Sequence, residues 1–235
     1  MNIALLLSGG NGSRVGADIP KQYLDVEGKM VITYCLETLI EHDGIDAIFI
    51  VADFTWKEAI LQELNVRNVS QSKILGFSKP GSNRQLSILN SLKDIRKYAS
   101  EDDFVIIHDA ARPLLSKKQI TDCLNAANGH DGAMPVLPMK DTVYLSHNGL
   151  NVSELIDRTS IYAGQSPEVF LLDKYYEANL NLLPDQIMRI NGSTEPAILM
   201  GLDVVMVPGD EDNFKITTIN DLNRFQEIMK MRGLA

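Results

Sequence analysis

An apolar run at residues 3–7 opens into Ser8, Gly9, Gly10 and Gly12, with Arg14 inside the same loop and Lys21 directly after Pro20. Glycines let backbone N–H groups come close to phosphate oxygens. Arg14 and Lys21 add two cations beside them, and Ile19, held extended before Pro20, stiffens the approach to Lys21. Cations fixed where charge develops are what phosphoryl and nucleotidyl transfer require. Two familiar phosphate loops are excluded. No Gly-Lys-Ser or Gly-Lys-Thr occurs, as a P-loop demands. A dinucleotide loop would carry a third glycine where Val15 stands, and would lead straight into a helix.

Other reactive residue types offer less. His108 and Asp109 close an apolar run at 104–107, and His108 in that setting reads as a structural hydrogen-bonder. His42, His130 and His147 share no ligand spacing. Trp56 opens a helical segment and reads as packing. The two cysteines, Cys35 and Cys123, sit among apolar residues with no Cys-x-x-Cys spacing, which predicts core filling in a reduced, cytoplasmic chain.

The elements that must position these groups alternate along the chain. Buried strands are predicted at 3–7, 47–51 and 104–107, with a weaker one at 73–75. Amphipathic helices are predicted at 31–42, 55–64, 83–98 and from a Ser116 cap to about 128. Apolar strands alternating with helices imply an α/β fold, a Rossmann-like, mostly parallel sheet covered on both faces. Ligands in such sheets bind beyond the carboxyl ends of the strands. The opening loop, His108-Asp109 and the loop after Pro138 all fall there.

The second half breaks the pattern. Residues 142–145, a His147-Asn148-Gly149 turn and residues 152–156 predict a hairpin between two sheet segments. Placed so, residues 140–157 should project as an arm whose apolar side needs a partner, which predicts a homodimer. The sheet resumes at 161–165, a helix follows at 172–181, a strand at 204–208, and a last helix at 220–229 capped by Asn220. No linker or repeat interrupts residues 1–235, which read as one domain.

Composition narrows the class. With 31 acids against 22 bases the net charge is −9, unlike a nucleic-acid binder. No run reaches transmembrane length and the first residues lack a signal-peptide pattern. A soluble enzyme acting on a small anion fits best.

SGGNGSRVGADIPKQYL resembles the signature of the cytidylyltransferases that activate small polyol phosphates. Two sister families share it, 2-C-methyl-D-erythritol 4-phosphate cytidylyltransferase and D-ribitol-5-phosphate cytidylyltransferase. Six further segments are similar, in the same order: GSNRQLS at 81–87, HDAARP at 108–113, KDT at 140–142, DR at 157–158, GQSP at 164–167 and DNFKITT at 212–218. The resemblance implies a nucleotidyltransferase fold of the glycosyltransferase-A kind. It also implies that a substrate phosphate attacks the α-phosphorus of CTP and that pyrophosphate leaves.

By the same resemblance Arg14 and Lys21 stabilise the transition state and the departing pyrophosphate. Arg158 and Lys215 position the polyol phosphate, with Asp109 and Thr142 beside it. Leu7, Ser8, Gly9, Gly10, Gly12, Gly81, Ser82, Asn83, Arg84, Ser87 and Arg112 hold CTP. Arg158 and Thr142 would complete the partner's site in a dimer. Mg²⁺ should bridge the triphosphate oxygens. Asp109 either ligates that ion, directly or through water, or fixes its loop by hydrogen bonds. No general base is required, because a phosphate dianion is already a nucleophile near neutral pH.

Two segments depart from the family pattern. Ser82 stands where an acid is usual. In INGSTEP at 190–196, Asn191-Gly192 replaces the usual Thr-Asp pair, with Glu195 three residues on. HDAARP leans to the methylerythritol enzymes; IYAGQSPEVF and NFKITT lean to the ribitol enzymes. D-ribitol 5-phosphate is the expected acceptor, ahead of 2-C-methyl-D-erythritol 4-phosphate and of a sugar phosphate for surface glycans. A catalytically idle nucleotide-binding relative would not need Arg14, Lys21, Arg158 and Lys215 together.

Overall fold

The computed structural model of the chain describes residues 1–10 and 19–233. Strand β1 (Asn2–Leu7) lies at the centre of the sheet, and its side chains alternate between two buried faces. Ala4 and Leu6 enter one core; Ile3 and Leu5 enter another. This period-2 split explains the unbroken apolar run: both faces are covered, so neither can be polar.

The chain continues through the short hairpin of β2 (Asp25–Val26) and β3 (Lys29–Met30) into helix α1 (Val31–Ile40). Next come β4 (Ala47–Val51), α2 (Phe54–Val66), β5 (Ile74–Ser78), α3 (Arg84–Ile95) and β6 (Phe104–Asp109). Helix α4 (Lys117–Ala127) follows its predicted Ser116 cap, whose side chain accepts from Gln119 N. Strands β5, β4, β1 and β6 are parallel neighbours in that order. Helices α1, α2 and α4 cover the face that contains Cys35 and Cys123, both buried and unoxidised. Helix α3 covers the other face.

Beyond β6 the sheet turns mixed. Strand β7 (Gly132–Pro138) leads to a separate two-stranded hairpin, β8 (Val143–Leu145) and β9 (Glu154–Ile156). The chain returns as β10 (Tyr162–Gly164) and β11 (Glu168–Leu171), both antiparallel to β7 and lying along the same edge of it. β11 is inserted between β6 and β7, antiparallel to both. Helices α5 (Leu172–Leu180) and α6 (Glu195–Leu199) follow, then β12 (Val204–Pro208), parallel to β7 on its outer edge. The predicted sheet is therefore mostly parallel but not wholly so, because β10 and β11 run against their neighbours.

The last helix, α7 (Ile219–Met231), starts one residue before its predicted Asn220 cap. Thr218 is the cap: its side chain accepts from Asp221 N while Asp221 reaches back to the Thr218 backbone, a reciprocal capping box. A two-residue shift in a run of Thr, Thr, Ile, Asn is invisible to hydrophobic periodicity. Among the described residues no helix is long and apolar enough to cross a membrane.

Candidate active site

Three strand ends converge where the opening loop leaves β1. The segment after Pro20 folds back against Ser8 and Gly10 at the end of β1. Gln22 Nε2 donates to the carbonyls of Ser8 and Gly10 at 2.5 and 2.8 Å, and Tyr23 Oη donates to Ser8 O at 3.0 Å. Trp56 stacks on Tyr23 with centroids 4.0 Å apart, holding the clamp against α2. Burial pushes the Tyr23 phenol up to about 12, so it remains a donor. Gln22 and Tyr23 thus return Lys21 to Gly9 and Gly10, which it follows by twelve and eleven residues. Gly12 and Arg14 lie outside the described residues.

The second wall is the turn before α3. Asn83 caps that helix, accepting from Leu86 N at 2.7 Å, and Gly81 N donates to Ser87 Oγ at 2.9 Å. A Cβ at Gly81 would lie 2.5 Å from Leu86 Cβ and 2.8 Å from Ser87 N, so the turn closes only around glycine. The cavity between the two walls is about 610 Å³. Leu7, Gly9, Gly10, Lys21, Gly81, Ser82, Asn83, Arg84 and Ser87 line it, as do Asp53, Asp109 and Lys215. Ser8 is buried below, its hydroxyl donating to Val51 O.

Asp109 ends β6 at the floor. Arg84 Nη2 is 3.1 Å from its Oδ1, Lys215 Nζ donates to its Oδ2 at 2.9 Å, and Arg112 Nε stands 3.9 Å away. Burial opposes the charge of Asp109, but Arg84 and Lys215, with Arg112 behind them, hold its carboxyl well below the usual range. Lys215 arrives because the 210–217 segment is laced to the floor. Ile216 N donates to Ala111 O, Arg112 Nη1 to Asn213 O and Asn213 Nδ2 to Ser166 O.

His108 is fully buried beneath this floor. Its Nε2 lies 3.0 Å from Arg112 O and must donate; its Nδ1 lies 3.0 Å from Ser166 Oγ and accepts. Burial pushes it down to about 4, so it is neutral, as a structural bridge should be.

A second cavity of about 240 Å³ adjoins the first and shares Arg84, Asp109 and Lys215 with it. Arg112 lines this smaller cavity, not the larger one. So do Glu168 and residues Asn191 to Thr194. Glu195 does not: its Oε2 accepts from Asn191 N at 2.8 Å and closes the loop on itself. Glu168 was not among the sequence candidates. Its signal was an acid opening the apolar strand EVFL, a position that topology then buries. Arg158 and Thr142 line neither cavity; Arg158 Nη1 donates to Lys140 O at the base of the hairpin. A further cavity, about 550 Å³ and lined by His42 and Lys117, holds none of the motif residues.

Glycines, a caged acid and four cations gather at the carboxyl ends of β1 and β6, with a larger and a smaller cavity meeting between them, the arrangement expected of a nucleotidyltransferase. Residues 2–231 match the model of the family described as IspD, 2-C-methyl-D-erythritol 4-phosphate cytidylyltransferase, and the chain belongs to that family. It is 34% identical over 231 residues to the 2-C-methyl-D-erythritol 4-phosphate cytidylyltransferase of Thermotoga neapolitana, covering 98% of this chain and 97% of that protein. It is 26% identical to the ribitol-5-phosphate cytidylyltransferase of Lacticaseibacillus paracasei, over the full length of both. The crystal structure of 4-diphosphocytidyl-2C-methyl-D-erythritol synthase from Anaerococcus prevotii superposes with a TM-score of 0.82 at 22% identity, over 97% of this chain and 96% of that one, which supports the fold.

Proposed function

We infer that the protein transfers CMP from CTP to a small polyol phosphate and releases pyrophosphate, with D-ribitol 5-phosphate as the acceptor. The observation that carries this is the pair of adjoining cavities sharing Arg84, Asp109 and Lys215. The larger suits a nucleoside triphosphate and the smaller an acceptor phosphate. Two anions that repel each other need fixed cations at their junction. An acceptor phosphate oxygen forms the new bond to the α-phosphorus as the bond to the β-phosphate oxygen breaks. Lys21, among the glycines, stabilises the leaving pyrophosphate; Lys215 and Arg112 orient the attacking phosphate. Arg14 joins this step on its sequence position alone.

Among the described residues no three His, Cys, Asp or Glu side chains gather as a ligand set. Mg²⁺ asks for less: it keeps several waters and takes one or two carboxylates plus phosphate oxygens. Of the about four acceptor positions of the Asp109 carboxylate, Arg84 and Lys215 already take three, so Asp109 would hold the ion through a bound water. The ion, when bound, neutralises triphosphate charge.

IYAGQSPEVF and NFKITT favour the ribitol acceptor. The Thermotoga relative favours 2-C-methyl-D-erythritol 4-phosphate as the second reading. The exposed Tyr144, Leu150, Val152 and Leu155 of the hairpin favour a homodimer in which residues 140–157 lie on a second copy, bringing Arg158 and Thr142 to its acceptor cavity. The test is pyrophosphate release across CTP, UTP, GTP and ATP with ribitol 5-phosphate, 2-C-methyl-D-erythritol 4-phosphate and sugar 1-phosphates. Turnover is expected with CTP and ribitol 5-phosphate. No turnover with any pair would refute the enzyme, and equal turnover with UTP would refute the cytidine assignment.

A further inference from the structure

The loop at 190–196 leaves the acceptor cavity without an acid of its own. Gly192 has no side chain, and Glu195 is spent on Asn191 N. Yet a second carboxylate besides Asp109 lines the cavity, and it comes from the sheet. Glu168 opens β11 and is only 7% exposed. Thr194 Oγ1 donates to its Oε1 at 2.7 Å, and Ser193 Oγ donates to its Oε2. Arg84 Nη1 donates to that same Ser193 Oγ at 2.6 Å, with Arg84 Nη2 4.0 Å from Glu168 Oε2.

A buried acid is costly to keep unless its neighbours use it. Burial pushes the Glu168 carboxyl up, while Arg84 and the two hydroxyls favour its charged form. Ionised, it has about four acceptor positions, of which the two hydroxyl donors take two and leave about two open. Those positions belong to a group that lines a cavity beside three cations. A phosphate gripped by Lys215, Arg84 and Arg112 would carry its hydroxylated chain past Glu168.

We propose that Glu168 selects the acceptor by accepting hydrogen bonds from polyol hydroxyls near the phosphate, supplying from β11 the carboxylate that position 192 lacks. The assignment rests on the cytidylyltransferase reading above. The substrate class it selects is an open-chain polyol phosphate with adjacent free hydroxyls. A site built around a hydroxyl rejects the analogue without it strongly, because its polar group is then left unpaired.

The test compares the unaltered protein, Glu168→Gln, and Glu168→Gln combined with Gly192→Asp. A Cβ at 192 meets no heavy atom within 4 Å, so a side chain can be introduced there. Steady-state kinetics would use ribitol 5-phosphate and its analogue lacking the hydroxyl next to the phosphate-bearing carbon, with CTP affinity measured by calorimetry. Glu168→Gln should raise the acceptor KM at least tenfold and abolish discrimination against the deoxy analogue. CTP affinity should stay within twofold, and the double variant should recover at least part of the acceptor affinity. An unchanged acceptor KM would overturn the proposal. Parallel loss of CTP binding, or a double variant no better than Glu168→Gln, would mark Glu168 as scaffold and overturn it too. If the unaltered protein used no polyol phosphate at all, the functional reading itself would fall, and this assignment with it.

Discussion

His108 sits in the most recognisable motif of the chain and does no chemistry. Its two ring nitrogens tie Arg112 O to Ser166 Oγ beneath Asp109. The consequence is a pH dependence of stability with a defined sign. The buried ring is held at about 4 against an unperturbed 6.5, so the unfolded chain binds the proton first as pH falls. The stabilising contribution is complete above pH 6.5 and lost on descending to pH 4, amounting to about 3 kcal/mol. Denaturant melts of the unaltered protein should show that loss, and His108→Gln should flatten it within that window. Equal slopes in both would refute the assignment. Asp109 titrates far lower and Asp221 at about 2, outside the interval, while burial pushes Glu168 up and His42 down toward it, so the His108 contribution is read from the difference between the two proteins.

At the scale of elements, what carries the site is a set of short connections, each tied back on itself. Gly81 is the tightest. Gly81→Ala forces its Cβ against Leu86 and the backbone of Ser87, and overpacking of this kind costs about 1–3 kcal/mol. Because Arg84 begins the helix that this turn feeds, CTP affinity should fall about ten- to hundredfold, with the melting temperature lowered by about 2–4 °C per kcal/mol of strain. Calorimetric titration with CTP checks it. The core strands and most helices were legible because both faces of the sheet are apolar and the helices carry clear stripes. Ala47–Val51 is a strand by pattern alone. β11 was not legible: EVFL follows a proline, is four residues long and opens with a charge. Only its insertion between β6 and β7 makes it a strand, and only that insertion buries Glu168. The cations of the site were legible as residue types beside glycines. Their partition between two cavities was not, because Arg112 and Arg84 differ in placement by which loop they fold under.

The whole molecule raises the question of how many chains make one site. In the proposed dimer Lys21 and Arg158 act on the same reaction from different chains. Lys21→Ala should lower kcat by orders of magnitude with a smaller loss of CTP affinity, since its contribution belongs to the transition state. Arg158→Ala should be similarly inactive. Mixing the two should restore about a quarter of the activity, because a random mixture puts both alterations at one site in half the dimers and leaves the other site intact. Mixed dimers without recovered activity would exclude sites shared between chains.

The hairpin has one more property. Pro138 and Tyr162 pair across the ladder at its root, and Met139 N donates to Ile161 O at 3.0 Å just above them. The excursion therefore begins and ends at a single closed point on one edge of β7. Its length is decoupled from the register of the sheet, so the tip of the hairpin can change without moving the strands that carry it. Chimaera design should be able to resize the tip between Leu145 and Glu154, altering what this chain associates with while Thr142, Arg158 and the nucleotide cavity keep their places.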